Sequence, residues 1–161
     1  MGDFLSWMEA STLGVSIRQA GPWAYAAINL AHILGVAALL GAVLVLDGRL
    51  LGLWRHVPLG LLSDATVPVA VTGLGVAIVA GIGLLSTNAG EYRGNPLLAV
   101  KFSAIGVGGL NALVLRLVPA WRDRHSRELS LREQRQLAVV GGVSLCCWLT
   151  AATAGRMIAY W

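Results

Sequence analysis

Within an apolar run, the stretch INLAHILG places Asn29 and His32 one helical turn apart. Carrying an amide and an imidazole into hydrocarbon costs free energy unless protein, water or a ligand satisfies them, so the pair marks a candidate site. A neutral imidazole can ligate iron or copper through either ring nitrogen. Two cations, Lys101 in LLAVKFS and Arg156 in TAGRMIA, interrupt other apolar runs, and Asn111 interrupts the same run as Lys101. Lysine and arginine can hold carboxylates such as haem propionates. Met157 is a soft sulfur donor next to Arg156.

The elements that must position these residues follow from composition. At 57% hydrophobic, 12% charged and a mean hydropathy of +0.71, the 161 residues are far more apolar than a soluble domain. The chain reads as an all-α integral membrane protein. Four runs reach the ~20 residues needed to span ~30 Å of hydrocarbon. They lie at about 22–46, 66–86, 97–118 and 137–161 of a single domain and predict an up-down-up-down four-helix bundle. Gly21-Pro22 and Asn95-Pro96 place proline at the first helical position, and Ser130 with Glu133 has capping-box spacing. Trp23, Tyr25, Trp54, Trp121, Tyr160 and Trp161 fall near span ends, as an aromatic belt requires.

Residues 1–20 lack the basic start, continuous apolar stretch and cleavage site of a signal peptide. Their scattered Phe4, Leu5, Trp7, Met8 and Leu13 predict a retained interfacial helix. Arg49, Arg55, Arg116, Arg122, Arg124, Arg127, Arg132 and Arg135 fall on one face of the sketch; Arg18, Arg93, Lys101 and Arg156 fall on the other. The positive-inside rule puts the richer face in the cytoplasm of a bacterial inner (plasma) membrane, with both termini periplasmic or extracellular. The basic pI of 9.7 is thus a matter of membrane orientation, and no nucleic-acid partner is expected.

Helices in lipid associate through close contact at small residues four apart. Ala27, Ala31 and Gly35 mark the first span, Gly73, Ala77 and Gly81 the second, and Ala104, Gly108 and Ala112 the third. No strand-to-helix phosphate loop accompanies these glycines, so they are packing positions. The adjacent Cys146 and Cys147 offer neither a disulfide framework nor a spaced metal motif. Asp47, near the inner end of the first span, could pair with Arg116. No nucleophile–base pair or acid cluster suggests an enzyme.

At a rise of ~1.5 Å per residue, His32 lies about 15 Å below Pro22, while Lys101 and Arg156 lie about 6 and 7 Å in. Asn111 lies about 21 Å in. One imidazole near mid-membrane beneath two cations suits a b-type haem (heme b), with His32 as axial ligand and Lys101 and Arg156 on the propionates. His56 and His125 sit in loops at the other face, leaving Met157, a ligand from another chain, or a five-coordinate iron. The competing readings are an imidazole hydrogen-bonded between helices through Asn111, Thr72 or Thr150, and a copper site using His32 with Met157, Cys146 or Cys147.

The pieces SIRQAGPWAYAAINLAHILGVAALLGAVLVLDGRLLG, TGLGVAIVAGIGLLSTN, GNPLLAVKFSAIGVGGLNALV and AGRMIAYW resemble an uncharacterised group of small four-span bacterial membrane proteins. That group is distantly similar to the copper-resistance D type. The resemblance runs from Ser16 onward, and its most specific elements are His32 with Asn29, the Asp47-Gly48-Arg49 turn, Lys101 with Asn111, and Gly155-Arg156. It implies copper handling or a redox-linked membrane function. Related sequences carry a histidine near the inner end of the third span where this chain has Arg116, so a two-histidine site within one chain is not implied. The expected protein is a haem-binding or redox-associated subunit. A copper-handling protein or permease and a structural subunit are the alternatives, and in each case a homo-oligomer or a larger membrane assembly is the expected context.

Overall fold

The computed structural model describes residues 2–127 and 129–160, with side chains from residue 4 onward. Helices occupy almost all of it, and no strand occurs among the described residues. Two short helices, α1 (Gly2–Glu9) and α2 (Thr12–Gln19), precede α3 (Pro22–Leu50) and α4 (Leu59–Thr87). A 3₁₀ turn leads into α5 (Pro96–Leu117), a single helical turn forms α6 (Pro119–Arg122), and α7 (Leu131–Met157) completes the fold. Trp161, expected at the end of the fourth span and in the aromatic belt, lies outside the described residues.

The chain folds as an all-α membrane helical bundle. The most apolar windows of the four long helices have mean hydropathies of 1.7–2.2, yet no more than 28% of any window is buried within the chain. Val79, Leu113 and Val139 point outward with 73%, 59% and 69% of their surface exposed. An exterior this apolar has lipid as its natural solvent.

The helix starts follow the sequence punctuation. Pro22 and Pro96 occupy the first turns of α3 and α5, and the Asn95 side chain accepts from the Leu97 N–H at 2.9 Å. Ser130 and Glu133 close a reciprocal capping box on α7, satisfying two otherwise orphaned N–H groups. Three helices outrun their apolar stretches: α3 continues to Leu50, α4 begins at Leu59 instead of 66, and α7 begins at Leu131 instead of 137. Polar residues in the added turns do not stop the backbone because they bond within it. Ser63 Oγ donates to the Gly60 carbonyl and Thr66 Oγ1 to that of Leu62, both at 2.8 Å. The 29 residues of α4 extend about 43 Å, more than a hydrocarbon slab requires.

The Asp47-Gly48-Arg49 segment is therefore helix rather than turn. The reversal comes at Gly52, whose φ of 103° only glycine adopts without strain. Gly52 N–H donates to the Arg49 carbonyl (3.1 Å) and Leu53 N–H to that of Gly48 (2.9 Å), the paired bonds of a Schellman motif. Arg49 then ties down the following loop, its Nε donating to the Val57 carbonyl at 2.8 Å.

In the bundle, α3 packs on both α4 and α7, and α7 packs on α5. Backbones of α4 and α5 scarcely approach, so the ring expected of four helices is open along that seam. Three apolar layers stack along the axis. Leu46, Leu50, Leu59, Trp121 and Leu137 fill the end nearest the 51–58 loop; Leu39, Val43 and Trp148 fill the middle; Leu5, Ala89 and Leu98 fill the other end. Trp121 is 7% exposed and belongs to the first layer, not to an interfacial belt. Trp23, Trp54 and Tyr160 remain exposed.

Residues 2–19 form two helices, not one, because Ser11 caps a new start by accepting from the Gly14 N–H. Both pack on the end of α4. Arg18 donates to the Thr87 carbonyl at 3.0 Å and to the Glu9 carbonyl at 2.8 Å, covering a helix C-terminus whose carbonyls lack internal partners. Leu5 and Met8 turn inward, whereas Phe4 and Trp7 face out with ring centroids 5.9 Å apart.

Among the four long helices, the closest backbone approach joins α3 to α4. A Cβ on Gly35 would stand 2.7 Å from the Ala77 backbone nitrogen, and one on Gly73 would stand 2.7 Å from the Gly35 carbonyl oxygen. Gly41 and Gly75 face open space. Gly73→Val is expected to destabilise the protein by about 1–3 kcal/mol through overpacking, whereas Gly75→Ala should be neutral or slightly stabilising. Thermal unfolding in detergent reads the contrast, and equal responses would refute the close crossing.

Candidate functional site

His32 leaves α3 half-buried and lies against the face of α4 at Ala77 and Gly81. Its Nδ1 is 2.8 Å from the Ala77 carbonyl oxygen. A carbonyl only accepts, so Nδ1 carries the hydrogen and donates. In the neutral ring this leaves the lone pair on Nε2. Gly81 makes the approach possible: a Cβ there would come within 3.1 Å of His32 Cε1 and 3.3 Å of Nδ1. The histidine thus has one nitrogen fixed by backbone and the other free of any hydrogen-bond partner among the described residues. Metal-bound histidines are oriented by the same kind of bond from the non-ligating nitrogen.

Lys101 on α5 lies within electrostatic reach of His32. Its half-buried chain lies along Gly155 of α7, where a Cβ would meet Cε and Nζ at 3.3 Å. Among the described residues the ammonium has no acidic or hydrogen-bonding partner. His32, Lys101 and the small residues Ala77, Gly81 and Gly155 are therefore contributed by four different helices.

The remaining expected residues are placed elsewhere. Arg156 follows Gly155, so its side chain diverges by about 100° from the face that Lys101 covers. It is exposed and engages Tyr160, its Nη2 donating to the phenol oxygen at 2.5 Å and its Cζ lying 5.0 Å from the ring centroid. Met157 is 49% exposed. Asn111 joins α5 to α7 by donating to the Val140 carbonyl at 3.0 Å, which is helix clamping and not a bond to the imidazole. Thr72 and Thr150 are exposed, so none of the three side chains considered as a partner for His32 holds it. Asn29 is exposed one turn above His32 and forms no hydrogen bond among the described residues.

Comparison with protein-family models, curated proteins and solved structures finds no match to this chain. A functional reading therefore rests on the residues themselves. No group of three or more His, Cys, Asp or Glu side chains suited to a metal occurs among the described residues. Cys146 is exposed, and Cys147 packs against Gly108. The pair Asp47–Arg116 does not form. Asp47 is buried with Oδ2 unpaired and Ser144 of α7 nearby, whereas Arg116 points outward from α5.

Sequence reasoning gave Ala77 and Gly81 a packing role and missed their part in holding His32. The signal was their spacing in a stripe, but a backbone carbonyl acceptor has no side-chain signature, and matching it to His32 needs the register between α3 and α4. With that register in hand, ¹⁵N spectra of ring-labelled histidine should show His32 protonated at Nδ1 and bare at Nε2. Gly81→Val should abolish this tautomer preference by displacing the ring. A wild-type spectrum with Nε2 protonated would contradict the assigned bond.

Proposed function

We propose that the protein is an integral membrane subunit that binds a b-type haem, or acts in a redox-associated role, at His32. The observation that carries this reading is the His32 Nδ1–Ala77 bond, which leaves the Nε2 lone pair available to a metal. Lys101 supplies a half-buried cation without a carboxylate partner among the described residues, as a propionate requires. A bound haem would supply one-electron exchange at its iron. His32 would be its protein ligand and Lys101 its anionic-group partner. Arg156 fits that second role less well because Tyr160 already engages it.

This chain supplies one imidazole at that level, and His56 and His125 lie at the far end of the bundle. The proposal is therefore five-coordinate iron, or a second ligand from another subunit in a homo-oligomer or larger assembly. Exposed, unpartnered Asn29 beside His32 favours the shared arrangement. Copper handling, suggested by the copper-resistance resemblance, would use the same Nε2; exposed Met157 and Cys146 give it less support. A structural subunit, with His32 serving only to bond α3 to α4, is the remaining alternative. The arginine distribution supports placement in a bacterial inner membrane with both termini outside.

Titration of the full-length detergent-solubilised protein with haemin should produce a saturable Soret shift. His32→Ala should abolish it, and Lys101→Gln should weaken binding about tenfold, the loss expected for one charge-assisted hydrogen bond. Metal analysis after mild purification provides the copper arm. No His32-dependent haem or copper would leave only the structural subunit.

A further inference from the structure

At the end of the bundle away from His32, residues of the 51–58 connection, residues 124–127 and 129, and the start of α7 surround a basin of about 790 Å³. Its wall includes Arg49, Arg55, Arg124, Arg127 and Arg135, and no carboxylate lines it among the described residues. His56 and His125 add imidazoles. The floor is apolar, formed in part by Leu50, Leu59 and Leu137 of the core layer nearest the 51–58 loop.

The arginines divide into two sets. Three are already anchored by protein. Arg49 donates to the Val57 and Arg55 carbonyls. Arg124 donates to Ser63 Oγ and the Trp121 carbonyl, each at 2.8 Å, while stacking 4.4 Å from the Trp121 ring centroid. Arg127 pairs with Asp123 and Glu133 at 2.9 and 2.7 Å. Arg55 and Arg135 are exposed and have neither an ion pair nor a side-chain hydrogen bond among the described residues. Asp64 stands 3.9 Å from Arg124 and 3.4 Å from His125, whereas Arg55 and Arg49 stand within electrostatic reach of each other with no carboxylate paired to either among the described residues.

We propose that this basin binds a phosphate-bearing anion, with Arg55 and Arg135 as its direct contacts. Guanidinium forks match phosphate oxygens two at a time, and Arg49, bonded only to carbonyls, holds a further positive charge at a fixed position. An apolar floor continuous with the bundle interior favours an amphiphile, so an acidic phospholipid headgroup is the source that fits best. A soluble phosphate compound presents the same oxygens and is the other source.

The test uses full-length protein in phosphatidylcholine nanodiscs, with phosphatidic acid doped into one set and inorganic pyrophosphate added to another. Native mass spectrometry reads lipid retention, and thermal unfolding reads pyrophosphate binding. The double variant Arg55→Gln/Arg135→Gln is compared with Arg122→Gln/Arg132→Gln, which removes the same charge outside the basin. Unfolding temperatures in pure phosphatidylcholine establish that both variants fold. The expected result is retention of phosphatidic acid by wild type and control, weakened at least tenfold in the Arg55/Arg135 variant. The same variant-specific loss seen only with pyrophosphate would support the site and assign it to a soluble ligand. Equal losses in both double variants, or no preference for either phosphate probe over phosphatidylcholine alone, would overturn the proposal.

Discussion

The passage of α3 over α4 with almost no side chain between them is the constraint on which the arrangement depends. At Gly35 and Gly73 the two backbones are so close that a methyl group on either would strike main-chain atoms. In lipid, where transfer from water no longer drives association, such proximity gains dispersion contacts that larger residues would forfeit. It also fixes the axial register of the two helices. One consequence appears two turns away, where Ala77 and Gly81 come opposite His32 and an imidazole can donate to a carbonyl of the neighbouring helix. The packing stripe and the polar contact are thus two results of one geometry. A larger residue at Gly81 would disturb the second without touching the Gly35–Gly73 crossing.

The all-helical organisation was legible because each of its signals acts locally. Pro22, Pro96 and the Ser130–Glu133 pair set helix starts through bonds and dihedrals within a few residues. Span ends were less legible: apolar length measures the bilayer, whereas a helix continues for as long as its backbone bonds are satisfied. Ser63 lay outside the expected span and Thr66 at its start, yet their hydroxyls bond to carbonyls of the same helix. Trp121 read as an interface residue, but the turn of α6 directs it into a leucine layer. At the candidate site, the residue types identified His32 and Lys101 as unusual. Their facing angles depended on four-helix packing, which turned Arg156 and Met157 toward the exterior and set Asn111 against Val140.

Charge is arranged differently at the two ends. Near the N-termini of α3 and α5, cations are few and are mostly committed to capping or to aromatic and hydroxyl groups: Arg18 covers the end of α4, Arg93 donates to Ser6 Oγ, and Arg156 lies on Tyr160. Lys101 stands apart from this pattern. At the opposite end, anchored arginines hold loops in place while Arg55 and Arg135 are left without counter-ions. A guanidinium bonded to backbone carbonyls contributes to structure and to local potential at once, because its hydrogen bonds do not cancel its charge. Loop anchoring by Arg49 therefore leaves its charge in place beside Arg55, whereas Arg124 also has Asp64 at 3.9 Å.

Asn29 bears on whether the chain acts alone. An amide exposed toward hydrocarbon has two donors and a carbonyl to satisfy, and water is scarce at that depth. Asn111 meets the same problem by reaching a main-chain carbonyl on α7, whereas Asn29 meets no such group within the chain. Its neighbour His32 has satisfied only one of two ring nitrogens. Two incompletely satisfied side chains at successive turns of one helix define a polar stripe on an otherwise apolar exterior. A second protein surface covering that stripe could satisfy the amide and, at the same level, offer a group to Nε2 or to a metal bound there. The open seam between α4 and α5 adds no competing polar contact to His32, because the ring is already turned onto α4. In the proposed haem-binding subunit, assembly and cofactor binding would be linked through one helical face: a surface that completed the solvation of Asn29 would also enclose His32.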